Sequence, residues 1–486
     1  MPDDTSVRPL IHVPPLDLSR PRRLHIVGVG GVGMSAIALL LARMGHRVSG
    51  SDLKESVALA RLAAAGVDVT VGNRAANVPR DADAVVYSTA IPAGNVELVT
   101  ARELGIAVLH RSAALAALAA TRRTIAVAGS HGKTTTSSML ALMLRSAGWN
   151  PSFVIGGEVN EVGANAAYGS GDWLVVEADE SDGTFLQLGP EAAIVTSVEP
   201  DHLDYYGGFD ALTAAFERFV DGVTGPVVCC ADDVVAARIA ASHPRVRTYG
   251  FDPGAHYRIV DVGVEADVTR FTLSAGGERL GELVVPLAVK AATNAAGASA
   301  MALELGVPFA AIAEALRGFG GVARRFERRG ERDGVTFVDD YAHLPGEVAA
   351  AIATAREGGW QRVIVVFQPH RYTRIASLWR DFAGAFDGAD ALVLTDVYPA
   401  GETPIAGVSG RLVVHAVVDA SPRLAVTYLP RTTDLVDVPR RMARRGDVVL
   451  TLGAGDLTRL PDTWLGRPAD DVDEREPGRD DHETVR

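Results

Sequence analysis

Between Gly129 and Thr136 the chain reads Gly-Ser-His-Gly-Lys-Thr-Thr-Thr, placing an ammonium (Lys133), an imidazole (His131) and several hydroxyls beside two glycines. An apolar run at 124–128 precedes it and the segment 137–144 follows, an order that predicts strand, glycine turn and helix. Backbone N–H groups of such a turn, together with a helix start, converge on one point that suits a polyphosphate. Lys133 is placed to reach β- and γ-phosphates, and the Thr134 hydroxyl to ligate Mg²⁺. The general phosphate-loop pattern needs a glycine five residues before Gly132, where Val127 stands. The loop is therefore a shortened G-x-x-G-K-T, and the chain reads as a nucleoside triphosphate binder.

A second glycine motif lies upstream, Gly28-Val-Gly30-Gly31-Val-Gly33, between an apolar strand at 24–27 and a helix at 34–44. Asp52 closes the next strand at the distance of a dinucleotide fingerprint. Alone, the motif favours an NAD enzyme. Its physics is broader, because glycine N–H groups and a helix start hold any pyrophosphate, and an acid holds a ribose or base; UDP-sugars carry both features.

Downstream, two acidic clusters follow successive apolar strands: Glu177-Ala-Asp179-Glu180-Ser-Asp182 and Glu199-Pro-Asp201-His202-Leu-Asp204. Carboxylates and an imidazole at neighbouring strand ends beside Thr134 are candidate Mg²⁺ ligands. The last third adds Arg324-Arg325, Asp339-Asp340-Tyr341-Ala-His343 and Gln368-Pro-His370-Arg371-Tyr-Thr-Arg374. Arginine forks suit carboxylates or phosphates, so this region supplies cations toward another domain's phosphate loop.

The elements that must position these groups alternate apolar strands with alanine-rich helices, which predicts mostly parallel α/β sheets. The 486 residues exceed one core and suggest three domains. The expected organisation is an N-terminal arm at 1–22, a Rossmann-like domain at 23–112 and a central phosphate-loop domain at 113–320. A C-terminal Rossmann-like domain at 321–465 and a charged tail at 466–486 complete it; arm and tail read as disordered. A net charge of −13 argues against nucleic acid as partner. No apolar run is long enough for a membrane span, and the N-terminus lacks a signal peptide's pattern, so a cytoplasmic setting is expected. The two cysteines, Cys229 and Cys230, are adjacent and read as strand filler.

Taken together, the two glycine motifs, Gly33-Met34-Ser35, Gly50-Ser51-Asp52, Ser88-Thr89-Ala-Ile91, the two acidic clusters and the two histidine motifs resemble the Mur ligases of peptidoglycan synthesis, in order over residues 23–458. The resemblance implies ATP-dependent joining of L-alanine to the lactyl carboxylate of UDP-N-acetylmuramate through an acyl phosphate, a step in cell-wall biogenesis. It implies that Gly28, Gly30, Gly31, Gly33, Met34, Ser35, Ser51, Asp52, Ser88, Thr89 and His131 hold the sugar nucleotide. ATP falls to Gly129, Ser130, His131, Gly132, Lys133, Thr134, Thr135, Asn294, Arg325, Asp339 and Asp340. Of two Mg²⁺ ions, replaceable by Mn²⁺, the first falls to Thr134 and the second to Glu177 and His202. Tyr341, His343, His370, Arg371 and Arg374 line the amino-acid pocket, and Lys133, His202, His343, His370 and Arg374 serve the chemistry.

Some positions depart from the family pattern. Leu344 follows His343 where a second histidine is common, and Lys290-Ala291 precede the retained Asn294. No lysine lies between Lys133 and Lys290, so the carbamylated lysine of sibling ligases is missing; Glu199, Asp201 or Asp204 are the candidates to supply its charge. Three other readings compete. An NAD oxidoreductase leaves the phosphate loop without work, and a regulatory phosphate-loop switch needs no arginine-rich third domain. A paralogue adding a peptide to the same sugar nucleotide differs in the Gly-Met-Ser form of the first motif. Oligomeric state, monomer or dimer, is not legible.

Overall fold

Three separate sheets carry the chain in a computed structural model that describes residues 16–265, 268–286 and 290–467. The first is five parallel strands in the order Asp68–Val71, Arg47–Asp52, Arg23–Val27, Ala84–Tyr87, Ala107–His110. Both faces are covered, as an apolar parallel sheet requires: Leu24 and Ile26 enter one buried cluster, while Val27 and Val85 enter another. The strand order reverses between Arg23–Val27 and Ala84–Tyr87, so the loops starting at Gly28 and Ser88 flank the crevice where ligands of such sheets collect.

The ten-stranded central sheet places Arg123–Ala128 between Trp173–Glu177 and Ala192–Val195, all parallel. Their carboxyl ends bring the phosphate loop and the two acidic clusters side by side. One edge carries the hairpin Ser152–Val159/Ala164–Ala167, and the other an antiparallel meander of Tyr257–Glu265, Val268–Ala275 and Glu278–Val285. The meander was not anticipated from sequence. Residues 271–274 of its middle strand are buried, whereas 261–264 and 278–280 of the outer strands are exposed, unlike the continuous apolar runs of the parallel strands.

In the third sheet Glu327–Arg332 runs antiparallel to Val335–Asp340. The parallel strands Val448–Leu452, Val363–Phe367, Ala391–Leu394 and Ala425–Tyr428 follow in that order. Three domains of mostly parallel α/β architecture are therefore present, as expected. The central hairpin ties them together. Asn165 Nδ2 donates to the Val32 carbonyl at the start of the first helix (3.0 Å), and the Glu158 carbonyl accepts from Ala323 N–H (3.0 Å) in the segment entering the third domain.

One expectation needs correction. Residues 16–22 of the expected arm pack on the first domain: Leu18 is buried in its core, and Arg22 pairs with Asp17 (3.1 Å) and Asp83 (3.3 Å). An apolar side chain with a core to enter overrides a proline-rich composition. Residues 1–15 and 468–486 lie outside the described residues. Cys229 and Cys230 are buried and free. Among the described residues no helix is long and apolar enough to cross a membrane.

Candidate active site

The phosphate loop is shaped by two left-handed glycines. Gly129 has φ of +134°, and a side chain there would strike Thr196 Oγ1 and the Ser197 backbone. Gly132, at φ of +80°, starts the helix Lys133–Ser146 and lies directly against the Asn294 amide. The loop amides do not all face a ligand: Ser130 N–H bonds the Ser197 carbonyl (2.9 Å) and His131 N–H the Ser197 hydroxyl (3.1 Å). An incoming phosphate is left with the first-turn amides of Lys133, Thr134 and Thr135, which have no intrahelical partner.

Those residues open into a cavity of about 710 Å³ lined by the central and C-terminal domains together. Ser130, His131, Gly132, Lys133, Thr134, Thr135 and Asn294 line it on one side, and Arg325, Asp340 and Glu347 on the other. Two of the residues expected to hold ATP, Gly129 and Asp339, do not line it. The Asp339 carboxylate is buried and accepts from the Thr451 (2.5 Å) and Thr458 (2.6 Å) hydroxyls, so it braces the third sheet rather than facing the cavity. Asp340, one residue on, points the other way, as strand alternation requires. It accepts from Phe326 N–H (2.7 Å) and Ala342 N–H (2.8 Å), and burial lifts its carboxyl to about 6 against the opposing pull of Arg325.

The Lys133 ammonium donates to the Gly129 carbonyl (2.5 Å) and to Glu180 (2.9 Å). Burial alone would depress it, but Glu180, Glu177 and Asp179 outweigh that and hold it above its ordinary value. Glu180, buried among them, is pushed upward. Asp179 is held down at about 2, burial notwithstanding, by Arg111, whose guanidinium bonds Asp179 (2.8 Å) and Asp182 (3.2 Å). Arg111, absent from the residues expected at the site, opens the helix that joins the first domain to the second. His131 is raised by its partner Glu199 at 3.4 Å. It lines this cavity and not a second one, at the first domain.

For Mg²⁺, Thr134 Oγ1 lies 3.1 Å from Glu177 Oε1, and the other Glu177 oxygen accepts from Gly156 N–H at 2.7 Å. Two hard oxygen donors so placed fit one magnesium ion entering between them. The second expected set does not assemble. His202, in a left-handed conformation, turns to Asp201 at 3.6 Å and does not line the cavity. Among the described residues no group of three or more His, Cys, Asp or Glu side chains is poised to hold a metal ion. The side chain of Asp204, one of the candidate charge donors, lies outside the described residues.

The third domain brings Tyr341, His343, His370 and Arg374 together. The His343 ring meets Tyr341 (5.3 Å between centroids) and His370 (5.6 Å), and Arg374 Nη1 donates to His370 Nδ1 at 2.9 Å. Burial, with His343 and Arg374 adding to it, pushes His370 down to about 3, so its imidazole is neutral and can accept that bond. His343 is lowered by burial despite Glu347 at 3.1 Å. Arg371 sits at φ of +67°, and its Nε is buried without a hydrogen-bond partner. Glu347 and Tyr398, which stacks on His370 at 5.8 Å, were missed from sequence. The spacing of four between His343 and Glu347 was the available signal for the first of these.

On the first domain a second cavity of about 490 Å³ is lined by Gly30, Ser35, the hairpin residues Gly156 to Glu158 and Asn165, and by Arg324, Arg325 and Tyr341. The glycine loop beside it is largely self-bonded. Gly28 N–H (2.8 Å) and Val29 N–H (2.9 Å) reach the Ser51 carbonyl, Gly31 N–H reaches the Gly28 carbonyl (3.2 Å), and Gly30 N–H reaches Asp52 (2.9 Å). Two expected contacts change. Met34 is buried in the core, and the Ser51 hydroxyl donates to the buried carboxylate of Glu97 at 2.5 Å. The backbone at Gly33 adjoins Arg111, and half-buried Ser88 and exposed Thr89 begin the loop across the crevice.

Comparison with known proteins agrees with this layout. Residues 23–123 match the catalytic domain of the Mur ligase family, residues 127–302 the Mur ligase middle domain, and residues 324–455 the Mur ligase glutamate ligase domain. The chain is 45% identical over 449 residues to a UDP-N-acetylmuramate–L-alanine ligase of a Bradyrhizobium species, covering 90% of this chain and 95% of that protein. A protein of the same name from Rubrobacter xylanophilus is 46% identical, over 92% of this chain and all of its own length (100%). Among solved structures, the UDP-N-acetylmuramate-alanine ligase MurC of Thermotoga maritima superposes with a TM-score of 0.76 at 28% identity, over 92% of this chain and 98% of that one. A murein peptide ligase of Psychrobacter arcticus shares the fold, at 0.69 and 23% identity, over 92% and 98% of the two chains. The chain belongs to the Mur ligase family.

Proposed function

We propose that this chain joins L-alanine to the lactyl carboxylate of UDP-N-acetylmuramate at the expense of ATP, releasing ADP and phosphate. The observation that carries the reading is the shared cavity. A phosphate loop with Lys133 and Thr134 faces, across one space, the third domain's Arg325, Asp340 and Glu347, and Glu347 links that wall to the histidine–arginine cluster. The curated relatives carry this activity in their names at about 45% identity.

A carboxylate resists amines until it carries a leaving group, so the γ-phosphoryl group is first passed to the lactyl oxygen. The amine then attacks the acyl phosphate, and phosphate leaves. Lys133 balances charge on the migrating group. Thr134 and Glu177 hold one Mg²⁺, which supplies further positive charge at the phosphates when bound. A second magnesium, with His202 as ligand, requires the 201–204 loop to move toward Glu177, and Mn²⁺ replaces Mg²⁺ at the first site. Arg374, kept in place by neutral His370, and Arg371 offer guanidinium groups to the alanine carboxylate. The sugar nucleotide lies between the first-domain glycine loop and Arg325, its pyrophosphate at the free amides of the first helix. Nucleotide substrates and the acidic net charge support a cytoplasmic enzyme without a nucleic-acid partner.

Phosphate release measured with ATP and UDP-N-acetylmuramate, scanned over single amino acids and short peptides, tests the reading. Stimulation by L-alanine above all other acceptors is expected. Stimulation by a tripeptide alone, or by no acceptor, overturns it.

A further inference from the structure

Lys133 is gripped from behind. Its ammonium lines the nucleotide cavity, whereas Glu180 does not and has only 1% of its side chain exposed. Both Glu180 oxygens lie within reach of that ammonium, at 2.9 and 2.8 Å. The backbone of Glu180 is fixed: its carbonyl accepts from the Tyr206 hydroxyl and from Gly183 N–H (3.2 Å), and its neighbour Asp179 is clamped by Arg111 (2.8 Å). The carboxylate therefore sits on a held backbone, behind the ammonium and outside the cavity lining. With the Gly129 carbonyl at 2.5 Å, it defines the one direction in which Lys133 can meet a phosphate.

We propose that Glu180 is a positioning residue for phosphoryl transfer, a fixed anionic backstop that aims Lys133 and offsets its charge. The proposal rests on the reading of Lys133 as the phosphate-facing cation. Its physical content is differential. An unopposed ammonium would grip the triphosphate in the ground state, whereas a backed one binds it less tightly but stays aligned as charge builds on the transferred group. A merely structural Glu180 would affect both states alike.

The test compares Glu180→Gln and Glu180→Asp with the parent full-length chain. It reads the Kd for ATP without acceptor, kcat for L-alanine-dependent phosphate release, and Tm. Glu180→Gln keeps the shape and removes the charge; ATP is expected to bind about fivefold tighter, the effect of one weakly screened charge. Its kcat is expected to fall by about 10²-fold as the ammonium loses its aim. Glu180→Asp keeps the charge at shorter reach, so ATP affinity is expected to stay at the parent value while kcat falls less. Weaker ATP binding together with lower Tm in both variants, or an unchanged kcat in Glu180→Gln, overturns the proposal. If Glu180→Gln does not fold, Glu180→Asp decides: a lower kcat at parent ATP affinity supports the proposal, and parallel loss of both overturns it. A parent chain that binds ATP but ignores L-alanine refutes the alanine-ligase reading instead, and the ATP-affinity comparison still judges Glu180.

Discussion

Two glycine loops in this molecule share a strand–glycine–helix signal but differ in what they offer a ligand. At Gly28–Gly33 the amides of Gly28, Val29, Gly30 and Gly31 are all bonded within the loop or to the next strand, and the nearest charge is the Asp52 carboxylate on Gly30. At Gly129–Lys133 the Ser130 and His131 amides are likewise engaged, by Ser197, but the loop ends in an ammonium that faces a cavity. Glycines make close approach possible in both places. The charged residue decides the chemistry: an acid beside the first loop suits hydroxyl and amide groups, and a lysine in the second suits a migrating phosphoryl group.

The largest expected effect separates the two loops outright. Lys133→Ala should lower kcat by about 10³-fold or more, the scale of losing a transition-state cation, while UDP-N-acetylmuramate binding measured by calorimetry stays intact. Simultaneous loss of both would show that the two sites are not separate.

A smaller contrast concerns the glycines themselves. In Gly129→Ala the new methyl meets Thr196 and rigid Ser197 backbone at φ of +134°; in Gly28→Ala it meets only the Ile91 side chain, 2.9 Å away, at φ of +74°. Both pay about 1 kcal/mol for a left-handed alanine, but only the first must also move backbone. Gly129→Ala should therefore weaken ATP binding more than tenfold (about 1.4 kcal/mol), and Gly28→Ala should weaken sugar-nucleotide binding by less than that. Equal losses in titration calorimetry would mean that the first loop is as rigid as the second.

The wall facing the second loop has a pH signature. Asp340 holds its proton up to about 6, above an ordinary carboxyl, so its favourable contribution is complete in acid and is lost as pH rises through that value. Asp340→Asn, which cannot ionise, should gain on the parent by up to about 3 kcal/mol between about pH 4 and about pH 7, and no more above that. Urea midpoints across that range measure it, and a pH-independent difference would show that Arg325 cancels the burial. The smallest effect belongs beside the first loop. Arg61 pairs with Glu158 across domains at 3.3 Å, but both are largely exposed. Arg61→Ala should cost about 0.5 kcal/mol or less, so a shift in Tm of more than a few degrees would mark that contact as a structural lock.

The three-domain α/β architecture was legible in the sequence because buried parallel strands are continuous apolar runs that stand out without any partner. The phosphate loop and the histidine–arginine motifs were legible for the same local reason, since each is a strand end with its own turn. The antiparallel meander was not, because its strands mix polar residues with apolar ones and resemble loops. Arg111 was missed at the site, and Glu180, named only among candidate metal carboxylates, was missed as the partner of Lys133, because nothing near either residue in the chain names its counterpart.

What the sequence determined by itself was the chemical inventory: two glycine turns, one lysine at the start of the helix after the second, and acids and arginines at strand ends. Those follow from residue type and short-range geometry. Tertiary structure alone chose between neighbours. Strand register turned Asp340 to the cavity and Asp339 to the threonines of an adjoining strand and turn, and helix packing sent Met34 inward and left Ser35 at the cleft. It also turned His202 to Asp201, outside the lining of the cavity that Glu177 joins, although both follow strands that flank the phosphate-loop strand. Adjacent residues point to opposite faces of a strand and lie about 100° apart around a helix, so identity and order cannot say which one meets the ligand; only the partner packed against each face does.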